Sequence, residues 1–186
     1  LNTRQYATKG YLEKLIAQVF TGRERFEPGN PQEGYSPSPQ ERQSWLQISY
    51  MKEAYHTMGP KFTLGWMAEA LYSSKNFSEN YTATMMQAGE FAPTPHSKLM
   101  YNEAFRANQY VAAGIKPIYV LNDMFQFRTE FYGFTPIFPI KKNALNKAYY
   151  GKAFSRFEYM GEVSVICHLP FGAISAYVNH YSSPRR

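Results

Sequence analysis

Sixteen consecutive residues near the C-terminus, 163–178 (VSVICHLPFGAISAYV), carry no formal charge at neutral pH. A run like this has to be kept from water, inside a protein core or inside a bilayer. A spanning helix needs about 20 apolar residues. Extension through Met160-Gly161-Glu162 and Asn179-His180-Tyr181 reaches that length. Gly172 and Ala176 then share one helical face, the small-xxx-small spacing that lets membrane helices approach closely. Tyr159, Tyr177 and Tyr181 flank the ends as an aromatic belt does. Glu162, His168 and Pro170 interrupt the pattern, so a buried core helix and an interfacial helix stand beside the spanning helix. The expectation is a candidate transmembrane helix over 160–181.

The segment leading into this run is basic and aromatic. Residues 143–158 (NALNKAYYGKAFSRFE) interleave Lys147, Lys152 and Arg156 with Tyr149, Tyr150, Phe154 and Phe157. Rings at headgroup depth and amines reaching phosphate suit a membrane–water interface. The chain's formal charge is +6, and residues 141–186 hold seven basic side chains against two acidic ones, or +5. Lys141, Lys142, Lys147, Lys152 and Arg156 are therefore the candidate contacts for an anionic lipid such as cardiolipin. A solvated cationic surface is the plainer alternative.

The rest of the chain reads as helices interrupted by turn formers. Residues 11–20 place Leu12, Leu15, Ile16, Val19 and Phe20 on one helical face. Residues 22–39 hold no apolar periodicity and read as an extended arm. Ser38-Pro39-Gln40-Glu41 has the residues of a helix start, with the helix running to Met58 and stopped by Gly59-Pro60. Shorter helices are expected at 63–73 and 78–88, and a longer one at 96–113, closed by Gly114 and Pro117. Residues 118–121 could form a short strand without an evident partner, and 133–140 an extended apolar segment packed on another chain. The predicted class is mainly α, with irregular helices joined by extended Pro/Gly-rich segments. Three parts are expected: 1–37, an N-terminal helix and arm; 38–140, a helical body; and 141–186, the basic stretch and candidate membrane helix. With 16 Tyr and 14 Phe, the chain is equipped for large contact surfaces.

No catalytic signature stands out. There are four histidines (His56, His96, His168 and His180) and one aspartate, Asp123. No nucleophile elbow, phosphate-binding loop or dinucleotide glycine pattern occurs. The lone Cys167 excludes an intramolecular disulfide and a cysteine-rich zinc site. His168 has no second ligand at metal spacing. The expectation is no catalytic residue, no metal and no cofactor.

Two resemblances add an address. Arg4-Gln5-Tyr6-Ala7 resembles the junction of mitochondrial presequences, in an acid-poor N-terminal stretch. The tail from Ala148 through Tyr181 resembles subunit f of mitochondrial F-type ATP synthase, in which a basic, Tyr-rich stretch leads into one transmembrane helix. These resemblances imply a non-catalytic accessory subunit of a mitochondrial inner-membrane oxidative phosphorylation complex. Its partners would be neighbouring subunits and anionic lipid, without nucleic acid. A mitochondrial ribosomal or RNA-associated protein is the alternative, because basic residues among Tyr and Phe also bind phosphates and stack bases. A soluble enzyme or secreted effector fragment is the third.

Overall fold

In the computed structural model, residues 6–24 and 42–183 are described. The chain forms eleven strands among these residues: β1 (Gly10–Arg23), β2 (Arg42–Thr57), β3 (Phe62–Ser73), β4 (Gly89–Glu90), β5 (Arg106–Ala107), β6 (Gln109–Val120), β7 (Phe125–Pro136), β8 (Ile140–Lys142), β9 (Ala148–Tyr150), β10 (Glu158–Leu169) and β11 (Gly172–Tyr181). One α-helix, α1 (Tyr81–Gln87), lies between β3 and β4, capped by the Asn80 side chain on the Ala83 amide at 2.8 Å.

Seven long strands make one antiparallel sheet in the order β1-β2-β3-β6-β7-β10-β11, an up-and-down meander. Its connections alternate in length. Residues 58–61, 121–124 and 170–171 make short turns at one end of the sheet. Residues 74–108 and 137–157 make long connections at the other, the end at which β1 finishes and β2 begins. The register climbs across the sheet. The paired row Glu13, Lys52, Ala68, Ala113, Gly133, Tyr159 starts three residues from the turn end of β1 and finishes ten residues from the turn end of β10. Seven residues of stagger over five strand steps inclines the strands by about 45° to the sheet's long axis, at ~3.3 Å per residue and ~4.8 Å per strand.

The 74–108 connection packs over one face of this sheet, which we call inward. Phe91 stacks on Phe134 with ring centroids 5.9 Å apart and meets Tyr132 and Tyr110 edge-on. Phe105 lies 5.6 Å from Phe134 and 6.1 Å from Tyr181. Large rings fit on the inward face because glycines lie beneath them. A Cβ on Gly114 would sit 2.2 Å from the Tyr132 ring, and one on Gly65 would sit 2.6 Å from Tyr55.

These strands correct the mainly α expectation. The 160–181 run is not a transmembrane helix; it is the β10–β11 hairpin, turned at Pro170-Phe171. No helix among the described residues is long and apolar enough to cross a membrane. The helix-like spacing in 11–20 arises because both faces of β1 carry apolar residues, so a 3.6-residue stripe can be drawn through a strand. The segments 42–58 and 63–73 are β2 and β3, and Gly59-Pro60 is their turn. The expected 96–113 helix divides into two short 3-10 turns, the whole of β5 and the start of β6. Gly114 and Pro117 lie within β6, where the β6–β7 ladder skips Lys116 and Pro117; Pro117 has no amide to offer. The 118–121 strand has partners on both sides, β3 and β7. The 78–88 helix is present as α1. The resemblance to subunit f depended on a basic stretch entering a membrane helix. With a hairpin in that place, the ATP synthase assignment is withdrawn. The helix start at 38–41, most of the 22–39 arm and Arg4-Gln5 lie outside the described residues.

Gly114→Val forces Tyr132 off its seat and should cost about 1–3 kcal/mol. Gly22→Ala has open space around it and should cost under about 0.5 kcal/mol. Denaturant midpoints of the two variants check this.

Candidate functional site

The outward face of the sheet is chemically distinct over five of its seven strands. The pairing register assigns it 29 positions on β3, β6, β7, β10 and β11, and none is Asp, Glu, Lys or Arg. On β6 they read Gln109, Val111, Ala113, Ile115, Pro117, Tyr119, and on β7 Phe125, Phe127, Thr129, Phe131, Gly133, Thr135. Water-facing strands normally place polar residues at such positions. Here the large side chains stand exposed: Ile115 at 51%, Phe131 at 54%, Val178 at 76%.

Most of the outward rings lie towards the two ends, with Trp66 and Phe131 between them in the row of Ile115. Tyr11, Phe62, Tyr119, Phe125 and Phe127 lie at the turn end, with Phe171 in a turn. Tyr72, Phe157 and Tyr159 lie at the loop end. Between them stand Ala70, Ala113, Ile115, Val163, Val165 and Ala176. On β1 and β2 the outward face does carry charge. Glu13 and Lys52 pair there at 3.5 Å, near the turn end, and Tyr50 donates to Glu13 at 2.7 Å.

The inward face reverses the rule. Lys116 pairs with Glu53, and Arg128 pairs with Glu130. Tyr55 donates to Glu53 at 2.5 Å, and Arg128 donates to the Tyr55 hydroxyl at 2.8 Å and to the Ala7 carbonyl at 3.0 Å. Tyr132 donates to Glu130. Strands β2 and β7 are three places apart in the sheet, so the Arg128–Tyr55 contact requires the sheet to curl. Tyr6, just before β1, bonds Ser175 on the opposite edge strand at 2.7 Å. A cavity of about 170 Å³ lies among Glu53, Lys98, Lys116, Arg128, Glu130 and Glu162. It has room for several waters. Glu162 has one buried carboxylate oxygen without a protein partner.

The five basic residues singled out from sequence all fall in the 137–157 connection. Lys141 and Lys142 are on β8, Lys147 is in the β8–β9 turn, and Lys152 and Arg156 follow β9. The four lysines are exposed, and Arg156 donates to Glu158 at 2.8 Å. Lys142 lies 5.8 Å from the Tyr81 ring. The Tyr81 phenol is held above its ordinary pKa, first by burial and then by its bond to Glu103. Gly172 and Ala176 are both outward on β11, where spacing by four keeps them on one face of a strand. His168 is inward on β10 and Cys167 outward. No group of three or more His, Cys, Asp or Glu able to hold a metal occurs among the described residues. The helical reading missed the wall itself; its signal was the alternation from 111 to 119 and from 125 to 135, at period two.

Comparison with protein-family models, with curated proteins and with solved structures found no match.

The inward network sets a contrast in stability. Arg128→Ala leaves Glu130 as an unpaired charge in the interior and should cost about 3–5 kcal/mol. Lys52→Ala, at the exposed outward pair, should cost under about 1 kcal/mol. Thermal unfolding of both variants in detergent micelles measures the difference.

Proposed function

We propose that this chain forms the wall of a transmembrane β-barrel of the outer-membrane type, with its outward face in lipid and its inward face around a polar, partly filled lumen. One observation carries the reading: five adjacent strands present no charged residue outward, while Lys116, Arg128, Glu130 and Glu162 face in. A lipid solvent selects this inversion, because a charge on the lipid face costs about 2–4 kcal/mol at the bilayer midplane.

Three further features support it. Twelve-residue strands such as β6, inclined at about 45°, rise about 28 Å, enough for an apolar band of roughly 25 Å. Short turns at one end and long loops at the other follow the habit of such barrels. Aromatic residues flank the apolar zone at both ends.

The sheet's edge strands, β1 and β11, run in the same direction. An all-antiparallel wall therefore closes through an odd number of further strands between them, since open edges are not tolerated in hydrocarbon. The reading puts the chain in a membrane that accepts β-barrels, not in the inner membrane. The role is structural; the 74–108 segment fills the lumen from the loop end.

Sidedness tests the proposal. In a Cys167→Ser background, Lys147→Cys and Phe171→Cys should react with a membrane-impermeant maleimide from opposite sides of a sealed vesicle. Reaction of both from the same side would remove the spanning wall.

A further inference from the structure

The outward wall is not uniform. At its loop end, Val111 and Ala113 on β6 and Gly133 and Thr135 on β7 form the floor of an apolar groove of about 250 Å³, and Phe157 forms one side. The floor is low because these side chains are small. A Cβ on Gly133 would lie 3.0 Å from the Phe157 ring, so that ring lies over the glycine. The Thr135 hydroxyl donates to the Arg156 carbonyl at 2.7 Å, which ties the chain before Phe157 to the rim.

That same connection carries Lys141, Lys142, Lys147 and Lys152. Among the described residues none of the four has an acidic partner. The acid nearest in sequence, Glu158, is taken by Arg156 at 2.8 Å and by the Ser182 hydroxyl. Lys141 is folded back against Gly151, where an added Cβ would meet its Cε at 2.8 Å. The trough thus shares the 137–157 connection, through Phe157, with four lysines that have no acidic partner among the described residues.

We propose that this groove and loop bind one anionic phospholipid, its acyl chain lying along Ala113 and Gly133 against Phe157 and its phosphate held by the lysines of 141–152. The groove continues the lipid-facing surface, so a hydrocarbon chain is the solvent already present there. The charge selects which headgroup stays. The inference rests on the membrane-wall reading and adds a lipid preference to it.

The test mixes phosphatidylglycerol and phosphatidylcholine of equal acyl composition into dodecyl maltoside micelles of the full chain, and native mass spectrometry counts the lipid retained. The chain should favour phosphatidylglycerol by about fivefold or more, the scale expected of one or more Lys contacts. The double variant Lys141→Ala, Lys152→Ala should lose that preference and still retain lipid. Ala113→Leu, which fills the trough, should lower retention of both lipids while circular dichroism stays that of folded sheet. A chain that enters micelles folded but holds both lipids equally overturns the site and leaves the wall intact. Retention unchanged by Ala113→Leu overturns it as well.

Discussion

Alternate residues of a strand point to opposite faces of the sheet, and the whole architecture follows from that geometry. Over β3, β6, β7, β10 and β11, that rule sorts all charge to one side. Where strands are paired the backbone's polar groups are consumed in the ladders, so the outward surface of β3, β6, β7, β10 and β11 presents side chains, most of them Val, Ile, Phe, Tyr and Ala. A shift of register by a single residue would put Arg128, Glu130 and Glu162 outward and Phe127, Phe131 and Val163 inward. The ion pairs inside and the apolar band outside therefore hold the same register from opposite faces.

The interior shows how a curled sheet is filled. Packing against the 74–108 connection supplies an aromatic cluster around Phe91, Phe105, Tyr110 and Phe134 at the loop end. Nearer the turn end the filling changes to charge, with Glu53, Lys116, Arg128 and Glu130 linked through Tyr55 and Tyr132. Gly65 and Gly114 leave space for those two rings to lie on the wall. A buried ion pair is weak support for stability by itself. Here the network reaches across from β7 to β2 and to the segment before β1, so its value is in fixing the curl.

Part of this was legible in the amino-acid order, and the part that was not has a physical cause. The uncharged run 163–178 is visible in the sequence, and alternate residues of it supply the outward face of β10 and β11. Its secondary structure does not follow from length alone, because a hairpin and a helix bury the same composition. Pro170, which interrupts the run as a helix, is the residue at which two strands turn. Gly59-Pro60 ends a strand as readily as it ends a helix. In β1 both faces are apolar, so Leu12, Leu15, Ile16 and Val19 satisfy a period of 3.6 while Leu12 and Ile16 share one face and Leu15 and Val19 the other. The clean period of two in 125–135, FQFRTEFYGFT, was the decisive signal. It is easily passed over because its polar members, Gln126, Arg128 and Glu130, are the buried ones.

Neighbouring residues on β10 report whether the two faces are inverted. A fluorophore is attached at Val163→Cys, Ser164→Cys and Val165→Cys in turn, with Cys167→Ser, in bilayers containing brominated acyl chains. Strong quenching is expected at 163 and 165 and weak quenching at 164. Equal quenching at all three, or quenching strongest at 164, would contradict the inversion.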